Sequence, residues 1–296
     1  MQKTKQMFFA AVTAAALFAG CTTETEEQNS IVYEDAAETI SAAIGDESGG
    51  AVESFADVMI AGGGGSMGTI APVMDGADRV AAGVPVYDSS TGWWSVSVLR
   101  EKSTYTVQRS ITREYQYQFQ KNGTVQKNYV TGSDTATTLK FKIVSGSGYF
   151  SGPRVTHHLT QLSGAWTTNG INKDTVTITL DSTYVRSGVD SIKTRNMLRT
   201  HAGTLTITSL NVKALRYHAQ DPEMHRMQWR SNFPNTISGT VSGNYSATIT
   251  FLRGDAYKER TINRDFTVNF GGGEGTLFMH GVSGNFRIDI AGGQRK

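Results

Sequence analysis

Apolar side chains recur with two different periods along this 296-residue chain. The change comes near Trp93. Before it, Ala36, Ala37, Ile40, Ala43 and Ile44 fall on one side of a helical wheel. Val52, Phe55, Val58 and Met59 repeat that spacing after the interruption at Gly45 and Gly49-Gly50. The pattern predicts two short helices within 31–61, joined at a glycine turn, with acidic residues near each start where the helix dipole favours them. Gly62 to Gly65 ends the second helix, and 62–90 reads as a Gly-rich, extended connection.

After Trp93 the period is two. Within 104–120, Tyr105, Val107, Ile111, Tyr115, Tyr117 and Phe119 share a face with Arg109 and Arg113, while the opposite face is wholly polar. That is a half-buried strand, much longer than the usual ~5–6 residues. Asn122-Gly123 then signals a hairpin. Residues 236–251 alternate in the same way, with Gly239 and Gly243 on the apolar face. Arg253-Gly254-Asp255 reads as a turn. Ile262, Arg264, Phe266, Val268 and Phe270 return, and a last strand is expected over 278–290. Shorter strands fit 138–144, 154–162, 175–180 and 204–212, and 213–235, which has no clear period, reads as a long loop. Tight turns and one wet face predict a mainly β domain over 91–296, a large antiparallel meander preceded by the two helices. A curved sheet or half-barrel, its concave face covered by the helices, is preferred to a β-sandwich, because Gly239 and Gly243 allow a long strand to bend.

Charge sharpens this picture. Residues 22–90 hold 13 acidic side chains and one basic, a sum of −12, whereas 91–296 hold 25 basic and 13 acidic, a sum of +12. Such a split implies contact between the two parts or with an outside polyanion. Arg109, Arg113 and Arg264 stand on apolar strand faces, where a guanidinium needs a carboxylate or a ligand anion. Glu34, Glu38, Glu53 and Asp57 on the helices are the internal candidates. The alternative is a cavity for an anionic head group, so anionic lipid or polysaccharide is the external partner considered, and no specific nucleic acid is expected.

Motifs for catalysis are weak. Gly63, Gly65 and Gly68 match a dinucleotide fingerprint, but Pro72 stands where its helix belongs and no βαβ alternation follows, so no cofactor is expected. Gly64-Gly65-Ser66-Met67-Gly68 lacks the strand and helix of a nucleophile elbow. His218, Asp221, Glu223 and His225 cluster within eight residues and are candidate metal ligands, at a spacing that matches no established motif. His157 and His158 point to opposite faces of a strand. His201 and His280 are isolated, and no Ser-His-Asp set is readable.

The start of the chain locates it. Lys3 and Lys5 precede an apolar run from Met7 to Leu17, which ends in Phe18-Ala19-Gly20-Cys21. The run is too short to span a bilayer and reads as a signal peptide over 1–20. Cys21 is the single cysteine, so no internal disulfide is expected. Phe18-Ala19-Gly20-Cys21 resembles the lipobox of bacterial lipoproteins, with Phe18 where Leu is usual. The resemblance implies acylation of the Cys21 thiol and attachment to a membrane, and the polar, acidic stretch without periodicity that follows reads as an acidic tether over 21–30. Thr22 is not the Asp that resembles an inner-membrane retention signal, so an outer-membrane location is expected, facing the periplasm or the cell surface. The expected role is a non-catalytic binding or structural module. A carrier of lipids or other amphiphiles, similar in architecture to periplasmic lipoprotein carriers, and a secreted hydrolase are the alternatives. Arginines among the apolar positions argue against a transmembrane barrel.

Overall fold

The computed structural model describes residues 30–62, 78–193, 197–217, 223–253 and 256–296. Cys21, most of the connection over 62–90, and His218 and Asp221 lie outside them. Two helices come first, α1 (30–44) and α2 (Ala51–Gly62). The β strands then follow one another as neighbours in a single antiparallel sheet of fourteen strands. Its main ribbons are β3 (Trp93–Ser103), β4 (Gln108–Lys121), β8 (Thr138–Ser151), β9 (Val155–Asn169), β10 (Thr175–Lys193), β11 (Leu198–Leu215), β12 (Ser238–Arg253) and β13 (Ala256–Gly271). β1 (Asp78–Ala82) forms one edge beside β3. β14 (Glu274–Met279), β15 (Phe286–Asp289) and β16 (Gln294–Arg295) lead to the other. The short β2 (Val86–Asp88) and β5 (Thr124–Gln126) pair with β3 and β4, and β6 (Val130–Thr131) and β7 (Asp134–Thr135) make a separate small hairpin. The order is that of a meander, and the sheet is open.

Curvature comes from irregular register. The pairing of β10 with β9 slips at three places, and the β11–β12 pairing slips between Ile207 and Ser209. An extra residue in one strand bends it and raises its twist. Gly243 sits opposite the β11 slip, where a Cβ would lie 2.0 Å from the Thr206 carbonyl oxygen. Only glycine permits that approach.

The curved, open sheet wraps around α1 and α2. From Asp35 to Ile44, and from Ala51 to Ala61, every helical side chain is buried. A helix of this kind has no solvent face, and its small residues (Ala36, Ala37, Ala42, Ala43, Ala51, Ala56, Ala61) let two helices fit within one sheet. Phe55 of α2 meets Trp166 edge-on at 5.7 Å, Trp166 stacks on Phe141 at 5.6 Å, and Phe141 lies 4.9 Å from Tyr115. Ile40, Ile44, Val52 and Met59 join the same core as residues of β3 through β15. The turn between the helices is also held by the C-terminal segment. Asp46 and Glu47 donate their N–H groups to the carbonyls of Ile290 and Ala291, at 2.9 Å each. A Cβ on Gly45 would stand 2.1 Å from the Gly293 Cα, so the two backbones touch.

Several boundaries differ from the sequence expectation. Residues 104–107 form a tight turn closed by Thr104 N–H to Val107 O at 2.8 Å, which leaves Tyr105 fully exposed. The strands over 138–151, 155–169, 175–193 and 198–215 run well past the short stretches expected, because bulges shift which face each apolar residue occupies. The expected strand over 278–290 is broken at 280–285. The expected loop over 213–235 contains α3 (Glu223–Thr236), which carries Pro234 inside it. Its Trp229 and Phe233 pack on each other at 4.9 Å, and Tyr217 lies 5.3 Å from Trp229. No described helix is long and apolar enough to cross a membrane.

Candidate functional site

The helices bring acids into an interior that the strands line with bases. Glu53 of α2 is fully buried and receives three guanidinium groups. Arg113 donates to its Oε2 at 2.5 Å, Arg109 to its Oε1 at 2.9 Å, and Arg100 of β3 lies 3.5 Å from Oε1. Burial alone would raise the Glu53 pKa. Arg109, Arg113 and Arg100 together outweigh that effect and hold it well below the usual carboxylate range. One turn along α2, Asp57 pairs with Arg100 and accepts the Tyr115 hydroxyl at 2.7 Å. Burial pushes the Tyr115 hydroxyl well above its ordinary pKa, so it acts as a donor. Arg113 and Arg109 also donate to the carbonyls of Gly49 and Glu47, at 2.7 and 2.9 Å. Two of the three arginines singled out in the sequence therefore meet one helix carboxylate. Asp46, in the same turn, is held by α3 through two bonds from Arg230, at 2.5 and 2.6 Å.

A second cluster lies across β9 and β10. His157 Nδ1 is 2.6 Å from Asp190 Oδ1, and Arg186 Nε is 3.2 Å from His157 Nε2. An arginine nitrogen only donates, so Nε2 accepts and the ring proton sits on Nδ1, facing Asp190. Burial first, and then the Arg186 charge, push the His157 pKa down, which keeps the ring neutral. Arg186 also donates to the carbonyls of Gly49 and Ala42, at 3.1 and 3.3 Å. A third cluster joins α1 to β11 and β12. Asp35 receives Arg199 in a two-bond contact of 2.5 and 2.9 Å, and its Oδ2 lies 3.4 Å from His201 Nε2. The other ring nitrogen of His201 meets the Tyr245 hydroxyl at 3.1 Å.

Chemically, these clusters are closed. His157 has a carboxylate on one nitrogen, as a catalytic dyad requires. Its other nitrogen, where a nucleophile's proton would be taken, is occupied by a guanidinium. Neither buried histidine hydrogen-bonds a Ser or Thr hydroxyl among the described residues. Sequence reasoning missed both histidine clusters. Their partners lie on other strands or on α1, 33 residues away for Asp190 and 166 for Asp35, and no local spacing signals them.

The remaining singled-out residues stand apart. Glu223 and His225 begin α3, while His218 and Asp221 lie outside the described residues. No group of three potential metal-ligating side chains occurs among the described residues. Arg264 of β13 does not join the Glu53 cluster. It donates to the Tyr33 hydroxyl of α1 at 3.1 Å, and its guanidinium lies 5.6 Å from the Tyr33 ring. The two residues border a cavity of about 450 Å³ that also includes Arg260 and Asn263. A second, shallower hollow of about 480 Å³ crosses β9 to β13 and is lined by small uncharged residues such as Thr160, Ser187, Thr204, Ser246 and Asn263. Compared with known proteins, the chain matches no family model, no curated protein and no solved structure.

Proposed function

We propose that this chain is a lipid-anchored protein of the bacterial envelope that serves as a non-catalytic binding or structural module. One observation carries the reading: the concave face of the sheet is filled by the chain's own helices, and the acids, bases and histidines within it are paired with one another. An amphiphile carrier keeps that face for its cargo, and a hydrolase keeps a histidine nitrogen for its nucleophile. Contact with partners then falls to the outer surface and the mouth of the sheet. The anchor rests on the signal-like start and on Cys21, the single cysteine.

The test is the Cys21→Ser variant. Membranes from cells making the wild-type protein should retain it, and its N-terminal peptide should carry acyl chains by mass spectrometry. The variant should appear in the soluble fraction. An unmodified wild-type peptide, together with unchanged membrane retention of the variant, overturns the reading. Digestion of intact cells by added protease separates the two faces of the proposed outer-membrane location: cleavage places the module on the surface, and full protection places it in the periplasm.

A further inference from the structure

We infer that the hollow on the outer wall of the sheet, across β9 to β13, binds a free, uncharged oligosaccharide chain. The inference rests on the binding role proposed above and names a ligand for it, but it uses the outer wall alone and does not depend on acylation of Cys21.

Open hydroxyls carry the argument. Elsewhere on this wall Ser, Thr and Asn side chains bond one another across the strands: Ser242 to Thr267 at 3.0 Å, Thr240 to Asn269 at 3.1 Å, and Thr200 to Thr250. Within the hollow, Ser187 and Thr204 do the same at 2.8 Å. The hydroxyls of Ser246, Thr248 and Thr261, which also line it, have no partner among the described residues. Thr248 and Thr261 stand opposite each other in the register and still do not bond. Ala202 at the centre keeps the floor low, so these hydroxyls border a volume of about 480 Å³. A hydroxyl both donates and accepts, so a row of them complements the hydroxyls of a sugar better than it does an ion.

Charge decides against an anion. No charged side chain lines the hollow among the described residues. Glu259 and Asp265 are exposed on the same face of β13, two residues before Thr261 and two after Asn263. Like charges in apposition are strongly disfavoured. These carboxylates therefore repel the phosphate- and carboxylate-bearing sugars of a bacterial envelope, which leaves a neutral chain free in solution as the occupant.

Aromatic rings extend the site. Val189, at the border of the hollow, leads through its register partners to His158 of β9 and Tyr149 of β8. Both rings are exposed, with centroids 6.5 Å apart. The face of an aromatic ring is negative and attracts the polarised C–H groups on the flat side of a sugar. Tyr149 lies two strand spacings from Val189, about 10 Å. One sugar ring does not cover that distance, so the ligand is a chain of several sugars laid across the strands.

The experiment titrates the full chain, kept soluble in a polyoxyethylene detergent that carries no sugar, with cellohexaose, maltohexaose, chitohexaose and hexagalacturonate, and reads heat. At least one of the three neutral hexasaccharides should bind. Tyr149→Ala removes an exposed ring and Ala202→Gln fills the hollow, and each should weaken that binding by about tenfold or more. Val144→Ala, exposed on β8 outside that row, should leave it unchanged. Thermal melts of the variants should match the wild type; if that of Ala202→Gln does not, Thr248→Val takes its place. Failure of all three neutral sugars to bind, or equal affinity of the wild type and either variant, overturns the site. Hexagalacturonate bound as tightly as the best neutral sugar overturns the neutral assignment. Lipopolysaccharide from the producing cells, if bound more tightly than any hexasaccharide, overturns the free-chain assignment. Cys21→Ser should bind sugar as the wild type does, so a failed anchor and an empty hollow give different results.

Discussion

At the scale of single residues, this interior depends on one carboxylate. Glu53 compensates Arg109 and Arg113 directly and Arg100 in part, so Glu53→Gln leaves buried guanidinium charge with no anion. Breaking a buried pair from one side typically costs about 3–5 kcal/mol, and urea unfolding of the variant should show a loss of that order. His157 adds a pH dependence of its own. Its pKa is depressed in the folded protein, so the unfolded chain takes up the proton first as pH falls below about 6.5. The stability it contributes is present above that pH and is lost as pH falls through the folded value. Melting temperatures should drop between pH 7 and 5, and His157→Gln should flatten that drop. At this scale the sequence was partly legible. An arginine on an apolar strand face demands an anion wherever it occurs, so Arg109 and Arg113 pointed to helix acids. Which acid answered was not legible, because the choice of Glu53 over Glu34 depends on how far each helix enters the sheet. Arg264 had the same pattern and a different outcome, since Tyr33 and not a carboxylate faces it.

At the scale of elements, the helices are core and the strands are wall. Helical spacing disclosed α1 and α2, but their small residues, read as one apolar side, proved to be buried all round. One-dimensional periodicity cannot register a sheet that curls past a helix on every side. α3 was illegible for a related reason: Met224 and Met227, and then Trp229 and Phe233, form two separate pairs at helical spacing among mostly polar neighbours, and Pro234 argues against helix. Phe55→Ala should cost about 3–5 kcal/mol, since it opens a cavity against Trp166 that the stiff sheet cannot collapse. Deleting 30–62 should abolish cooperative melting, because it exposes the apolar concave face and leaves Arg100, Arg109 and Arg113 without their anions. Near-UV circular dichroism of that deletion, compared with the full chain, checks this: a native-like aromatic signal would show the sheet stable alone.

At the scale of the whole molecule, acids of the described helices and their turn meet bases of 91–296 inside. Asp35, Asp46, Glu53 and Asp57 face Arg199, Arg230, Arg109, Arg113 and Arg100, which come from β3, β4, β11 and α3. The fold class was legible because alternation over many residues survives bulges, whereas strand ends did not survive them. The bond between the α1–α2 turn and residues 290–291 has a further consequence, in time. Neighbouring strands of a meander pair early, since each closes only a short loop. The turn between the helices, made early in the chain, meets the C-terminal segment only across more than 240 residues of chain. Domains ruled by such distant contacts fold slowly, on the order of milliseconds to seconds or longer. Refolding from urea should therefore show sheet formation by far-UV signal before the fluorescence change of Trp166 against Phe55. The Trp166→Phe variant should lack that late phase. In the interval the Ala-rich segment stands unpartnered, and its apolar surface is open to association with other unfolded chains until the sheet wraps it.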